Sequence, residues 1–381
     1  MTSILEKLKS VKWKHFVNYI AIIIVATIFS SMTFAGALPQ STLFLLEKIT
    51  MNIILAVSLS LVVGFLGELS LGHAGFMCIG AYMGGKIATL FENGDGVLSF
   101  VVSLVVGAVI AGIFGFIIGL PALRLRGDYL AIVTLAFGEI VKTVFENTSK
   151  ESFGGPVGLR TPRFDKQYLF IIGFILVLIT VFVIQNLLRS KHGRAITAIR
   201  DNEIAARATG INVTKYKLIG FIVSSAFAGI AGVFYSFANS TVKASVFTYN
   251  YSIEILIMVV IGGMGSITGS IVSATVITYI NTQLQTILTG DLAVLKDILY
   301  ALILVLIVIY NNAPALKNFR EKYNPKTLII KLLKIKQPES YVKDDEGAWH
   351  RIPTKISVDE LLSTDIVVAE SVQDPDKEDK G

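Results

Sequence analysis

Charge is what this 381-residue sequence has least of. Asp, Glu, Lys and Arg make up 16% of it, against about 25% in soluble domains. Residues 16–46, 96–123, 167–188, 218–242, 255–290 and 298–316 contain none of the four. A helix needs roughly 20 apolar residues to cross a bilayer, so each stretch has room for a span and the composition is that of a membrane protein. Cysteine is almost absent: Cys78 stands alone, which excludes an internal disulfide. Histidine is scarce too. His15, His73, His192 and His350 are scattered, and none has metal-ligand spacing. Neither a metal nor a cofactor is expected. Gly-x-Ser-x-Gly is missing, so Ser266 with His73 does not make a hydrolase pair.

What is there is a run of apolar segments. Spans are expected at 17–37, 49–66, 71–91, 97–120, 129–146, 167–188, 218–240, 250–263, 266–289 and 298–316. The fold class is therefore all-α and polytopic, with about ten transmembrane helices. The eighth segment is short, and residues 250–265 are open to two readings, a span or a re-entrant element. The basic N-terminus (Lys7, Lys9, Lys12, Lys14) precedes an apolar part of about 20 residues, longer than the core of a signal peptide, so it is read as a retained first helix.

Basic residues sort the connections. Loop 189–217 carries Arg189, Lys191, Arg194, Arg200, Arg207, Lys215 and Lys217 against Asp201 and Glu203. Loop 121–128 carries Arg124 and Arg126. Cytoplasmic loops are the ones enriched in Lys and Arg, which predicts both termini in the cytoplasm. The expected layout is a cytoplasmic N-terminus (1–16), a transmembrane domain (17–316) with a cytoplasmic loop (189–217), and a cytoplasmic extension (317–381). That extension turns acidic: residues 337–381 hold 5 basic and 12 acidic residues.

Residues 67–86, GELSLGHAGFMCIGAYMGGK, contain the spacing of a phosphate-binding loop at Gly80, Gly85 and Lys86. Ile87 stands where Ser or Thr must hold magnesium, and both flanks are apolar. Close helix packing explains these glycines better, because small residues let backbones approach inside a bilayer. Gly80 with Gly84, Gly115 with Gly119, and Gly265 with Gly269 are such pairs. With Ser70 and His73, the stretch predicts a tightly packed interior helix with an irregular start. Ionisable residues within spans point to function by default, and Glu68, Glu139 and Glu254 are the candidates. Glu139 is open to two readings, an ion pair with Lys142 at i+3 or a place on a pathway. Glu68 and Glu254 fall near span ends, where water reaches them.

Residues 192–212, HGRAITAIRDNEIAARATGIN, place Ile196, Ile199, Ile204 and Ala208 at roughly helical spacing, and Gly210 stops the pattern. Short cytoplasmic helices with one apolar face are expected. Such a helix lies on anionic lipid or docks on another protein. The small Ala205, Ala206 and Ala208 favour docking, with Ile196, Ile199 and Ile204 as the docked face.

Four stretches together resemble the LivM-type permease subunits of ATP-binding-cassette importers for branched-chain amino acids. They are Gly67–Gly80, Gly127–Val141 (GDYLAIVTLAFGEIV), Gly193–Leu218 and Gly262–Gly269 (GGMGSITG). The resemblance implies a permease with no enzymatic activity of its own, working in the bacterial cytoplasmic membrane. Its implied partners are a second, LivH-type permease, two cytoplasmic ATPase subunits, an extracytoplasmic solute-binding protein and the lipid bilayer, with no nucleic acid. It also implies that Arg200, Asp201, Glu203, Ala205, Ala206 and Gly210 form the contact with the ATPase. They follow the Glu-Ala-Ala-then-Gly pattern of importer coupling loops, with Ile204 inserted after the Glu. Branched-chain amino acids are the expected substrates. Urea or small amides, and a self-sufficient secondary transporter relying on Glu139 and Lys142, are the alternatives.

Overall fold

A computed structural model of the chain describes residues 17–36, 38–91, 96–125, 127–162 and 166–287, with positions 301, 302, 305 and 309. The expected cytoplasmic N-terminus, the span at 298–316 but for those four positions, and the extension 317–381 lie outside the described residues.

Helix α1 runs over Val17–Phe34. Pro39 then caps α2, Gln40–Ser60, and the helix continues through a π-helical turn at Leu61–Leu66. This helix starts nine residues before the expected span at 49, because the proline rather than the charged pair sets its beginning. Glu47 and Lys48 are thus inside it, and Glu47 is 2% exposed. Helices α3 (His73–Leu90), α4 (Gly96–Ala122) and α5 (Asp128–Glu146) follow. A connection with a short helix α6 (Lys150–Phe153) and strand β1 (Leu159–Arg160) leads to α7, Lys166–Arg189. Then come α8 (Lys191–Asp201), α9 (Glu203–Ala208) and α10 (Val213–Ala238). Strand β2 (Thr241–Val242), α11 (Tyr249–Gly262) and α12 (Ile267–Ile287) follow.

Four of these helices are long and apolar enough to cross a membrane: Gln40–Leu66, Gly96–Ala122, Tyr168–Arg189 and Val213–Ala238. They are not equivalent. The apolar stretch of α2 is 94% buried and that of α4 only 28%, so α2 is a central helix and α4 a peripheral one. The 14 residues of α11 span about 21 Å at 1.5 Å each, short of a bilayer core of about 30 Å.

The two faces of α4 differ in size rather than polarity. Ser99, Ser103, Gly107, Ala111, Gly115 and Gly119 recur every fourth residue and are buried. Val101, Val105, Val109, Ile113 and Ile117 alternate with them and are exposed. Residues four apart share a helix face, so the small stripe turns inward. There α3, α4 and α10 meet almost backbone to backbone. A Cβ on Gly80 would run into the backbone of Gly229, one on Gly229 would meet Ala111 and Gly107, and one on Gly84 or Gly107 would meet Val233. Gly80 and Gly84 therefore pack within this chain. Their substitution acts first on the chain's own fold. Gly115 and Gly119 do the same against Ser225, Leu218 and Phe221 of α10.

The connections gather at two opposite ends. At one, β1 and β2 pair antiparallel, with Leu159 opposite Val242 and Arg160 opposite Thr241. Thr161 Oγ1 donates to Ser236 O at 2.6 Å, and Tyr82 Oη donates to Val242 O at 3.2 Å. At the other end lie α8, α9 and the turn between α2 and α3.

Candidate functional site

The helix expected over 71–91 begins at His73, after an extended break. Gly67 ends the π-helical turn of α2 with φ +79°, a conformation that glycine adopts without steric cost. Residues 67–72 have no helical structure. Irregular backbone at membrane depth persists only where protein or a cavity surrounds it, and here side chains of neighbouring helices take up its hydrogen bonds. Leu71 N donates to Thr134 Oγ1 of α5 at 2.9 Å, and just beyond the break, in the first turn of α3, Ala74 N donates to Ser252 Oγ of α11 at 3.1 Å. His73 is 2% exposed, and its Nε2 lies 2.9 Å from Ser58 Oγ. Because that hydroxyl donates to Leu55 O, it accepts from His73, which puts the ring proton on Nε2. Ser70 is 1% exposed, and its hydroxyl has no hydrogen-bond partner among the described residues.

Two cations tie α8 and α10 to this break. Arg200 crosses it: Nη1 donates to Gly64 O at 3.2 Å, while the side chain fills the space a Cβ on Gly67 would need. The same guanidinium lies 3.3 Å from where a Cβ on Gly265 would sit, and Gly265 itself touches Gly64. Lys217, expected in a loop, instead lies in the second turn of α10 and is 4% exposed. It pairs with Glu68 in the break and with Glu203 of α9, the latter at 3.1 Å. Gly75 of α3 also meets Gly138 of α5, 2.7 Å from where its Cβ would be. So the four stretches quoted from the sequence converge at one end of the bundle.

The loop is helical, and each helix has its own start signal. Ser190 accepts from Gly193 N, Asn202 from Ala205 N and Asn212 from Lys215 N, each an N-cap that satisfies an orphan donor. Gly210, at φ +85°, turns the chain from α9 towards α10. The expected docking face needs correction. Ile196 and Ile199 are 0% and 4% exposed: they pack inside this chain and are not available to a partner. Ala206 is likewise buried, against Ile199 and Val213. Of the docking residues, Ile204 is 77% exposed, and Ala205 is exposed beside it. Glu203 also pairs with Arg207 at 2.9 Å, and Arg200 with the exposed Asp201 at 2.9 Å. A concavity of about 280 Å³ bordered by Arg124, Glu203, Arg207 and Lys217 lies alongside.

The remaining residues separate. Glu139 makes the ion pair with Lys142 at 3.1 Å. Its other oxygen accepts from Tyr249 N at 2.8 Å, so it also caps α11. Glu254 accepts from Asn281 Nδ2 at 2.6 Å. Gly265 and Gly269 are not a pair on one face. Gly265 has φ +84° in the turn before α12, and Gly269 packs on Gly262 of α11. Gly80 to Lys86 lie in the middle of α3, where the backbone N–H groups serve the helix rather than a phosphate. Lys217 and the pair Glu47–Lys48 are the functional candidates that the sequence pattern did not single out, and Arg200, named there for the ATPase contact, turns part of its side chain inward to Gly64. Asn212 was the available signal for Lys217, since a cap there starts the helix early.

These features define a multi-pass helical membrane protein whose break, loop helices and glycine contacts form one assembly. The chain belongs to the family described as the branched-chain amino acid transport system / permease component, which matches residues 41–308. It is 37% identical over 289 residues to the high-affinity branched-chain amino acid transport system permease protein LivM of Escherichia coli K12, covering 68% of this chain and 65% of that protein. The match thus spans a little under two thirds of that relative's length. It is 26% identical to the probable branched-chain amino acid transport permease protein LivH of Methanocaldococcus jannaschii, over 65% of this chain and 78% of that one. It is also 26% identical to the ribose import permease protein RbsC of Escherichia coli K12, over 77% and 92%. No solved structure matches the chain.

Proposed function

We propose that this chain is a permease subunit of an ATP-driven importer in a bacterial cytoplasmic membrane, carrying branched-chain amino acids. It pairs with a second permease, receives substrate from an extracytoplasmic binding protein and draws on two cytoplasmic ATPase subunits. Hydrolysis belongs to those subunits. About ten spans with both termini in the cytoplasm, and the extension 317–381 on the same side, complete the reading. Transport of urea or small amides finds no support in the relatives' names, which speak of branched-chain amino acids and sugars.

The observation that carries the reading is the α8–α9 unit. It is rigidly held to the membrane helices by Arg200 and Lys217, yet leaves Ile204 exposed. An element so fixed can pass a movement of an attached ATPase to the α2–α3 break. A self-sufficient transporter has no need of it, and in its one proposed relay, Glu139 with Lys142, the second Glu139 oxygen is engaged by the N-terminus of α11.

Proteoliposomes holding both permeases should take up leucine only when the ATPases, ATP and the loaded binding protein are all present. Uptake by the permeases alone would favour the secondary transporter. Topology is tested in parallel, since the native Cys78 is buried. In intact cells an impermeant thiol reagent should label Glu151→Cys and spare Lys191→Cys; the reverse pattern inverts the orientation.

A further inference from the structure

Far from the α8–α9 unit, the N-terminal half of α2 borders two contiguous cavities of about 250 and 230 Å³. Both are lined by Lys48, Met51, Tyr235 and Val246. The larger adds Glu47 and Phe44, whose ring lies 4.9 Å from the Lys48 ammonium. The smaller adds Asn52, Tyr251, Glu254, Thr278 and Asn281 from α2, α11 and α12.

The polar wall of the smaller cavity is preorganised. Tyr251 Oη donates to Asn52 Oδ1 at 2.7 Å, and Asn52 Nδ2 to Thr278 Oγ1 at 2.8 Å. These two bonds fix the Asn52 amide. Asn281 Nδ2 holds one oxygen of Glu254 at 2.6 Å, and Gln285 Nε2 steadies Asn281 at 3.3 Å. The result is a fixed carboxylate and an ammonium on one cavity, with Met51, Met77 and Val246 as apolar lining. Methionines fit varied aliphatic shapes, and ionisable side chains inside membrane helices mark substrate routes.

We infer that this cavity is a stopping place for a free α-amino acid on its way through the permease. Lys48 faces the substrate carboxylate, Glu254 its ammonium, and the apolar lining its aliphatic side chain. The inference rests on the importer reading above and adds the site and the orientation. Two charges of opposite sign suit a zwitterion; a neutral sugar has no use for them. Tyr235, near the end of α10, and Val246, between β2 and α11, put the cavity towards the β1–β2 end. In the proposed orientation that end faces the binding protein.

The test uses the complete reconstituted complex with leucine as the probe. Glu254→Gln and Lys48→Gln should each lower the leucine imported per ATP hydrolysed at least tenfold. A merely structural role would reduce the amount of working complex and leave that ratio unchanged. In a second arm, Thr282→Cys on the cavity wall is exposed to a small methanethiosulfonate reagent. Leucine-loaded binding protein with ATP should slow its modification at least fivefold relative to leucine-free binding protein with ATP. Glu151→Cys, at the same end but outside the cavity, should show no such difference. Wild-type ratios in both charge variants, or modification of Thr282→Cys indifferent to leucine, overturn the inference and leave the importer standing. Should a charge variant fail to assemble, the cysteine arm decides. A wild-type complex that imports no leucine removes the importer reading and this inference with it.

Discussion

At its N-terminal half α2 borders open space lined by Lys48, Asn52 and the neighbouring Glu254. At its C-terminal end the same helix is closed down. Its π-helical turn accepts from Arg200, and the residue after its cap, Glu68, is clamped by Lys217. Both ends hold polar and ionisable groups in a membrane helix bundle, but with opposite consequences. Next to a cavity, a group that loses its partner can recruit water or a ligand. Inside a packed contact, as between Arg200 and Gly64, it cannot, and the loss is felt more fully; Lys217 is 4% exposed and held by two carboxylates, although it borders the concavity of about 280 Å³. The cavity end is therefore suited to exchanging partners and the loop end to holding them.

The largest effect should come from Lys217→Met. It leaves Glu68 and Glu203 facing each other without the cation between them. Removing one member of a buried ionic group typically costs about 3–5 kcal/mol. The variant should lose most of its detergent-stable, monodisperse fraction on a thermal ramp followed by size exclusion. Adding Glu68→Gln should restore part of it. A single variant as stable as wild type would mean that the loop end is no more tightly held than the cavity end.

Ala206→Trp comes next. Ala206 sits between Ile199 and Val213 within the chain, so the indole overfills the contact between α9 and the start of α10. Overpacking costs about 1–3 kcal/mol. The thermal midpoint of the isolated chain should fall before any ATPase is added. A drop seen only in the assembled complex would return Ala206 to the partner interface.

What the sequence made legible follows from what each signal measures. Charge-free runs report apolar backbone, and they located helices α4, α7 and α10 to within a few residues. They misjudged α2, because Glu47 and Lys48 look like a loop to any count of charge and only Pro39 marks the true start. Small residues at four-residue spacing reported close approach, but not against what; Gly80 meets Gly229, some 150 positions on, and no local pattern contains that. The helical period in 192–212 identified an apolar face, but period alone cannot say whether it turns to a partner or inward. Here Ile196 and Ile199 turn inward. The ion pairs of Lys217 and the reach of Arg200 are contacts between distant segments and had no sequence signature beyond the glycines that make room for them.

The cavity end sharpens the contrast with a smaller effect. Asn52→Ala removes the amide that joins Tyr251 to Thr278. Both hydroxyls border the cavity, where water replaces the lost bonds, so the expected cost is about 1 kcal/mol, that of a typical net hydrogen bond. The same thermal ramp should show a shift clearly smaller than that of Lys217→Met. An equal shift would show that the space beside α2 does not hold water and that the two ends are equally closed.

The smallest effect on the chain is expected at Ile204. Its side chain is 77% exposed, at the second position of α9 between Glu203, which is held by Lys217 and Arg207, and the exposed Ala205. Ile204→Ser removes no packing inside the chain, and surface substitutions of this kind stay within about 0.5 kcal/mol. The thermal midpoint of the isolated chain should therefore not move. The assembled complex should behave otherwise. An isoleucine presented by a helix capped at Asn202 and anchored through Glu203 loses little backbone freedom on docking, and an apolar side chain buried at the centre of a contact contributes most of its energy. Burying it fully is worth about 1.5–3 kcal/mol, so the serine variant should bind the ATPase subunits roughly tenfold or more weakly in a pull-down titrated with ATPase. Unchanged affinity with an unchanged thermal midpoint would leave Ile204 with no role at either level and would move the docking surface to the concavity bordered by Arg124 and Arg207. There, Arg124→Ala is the variant to compare.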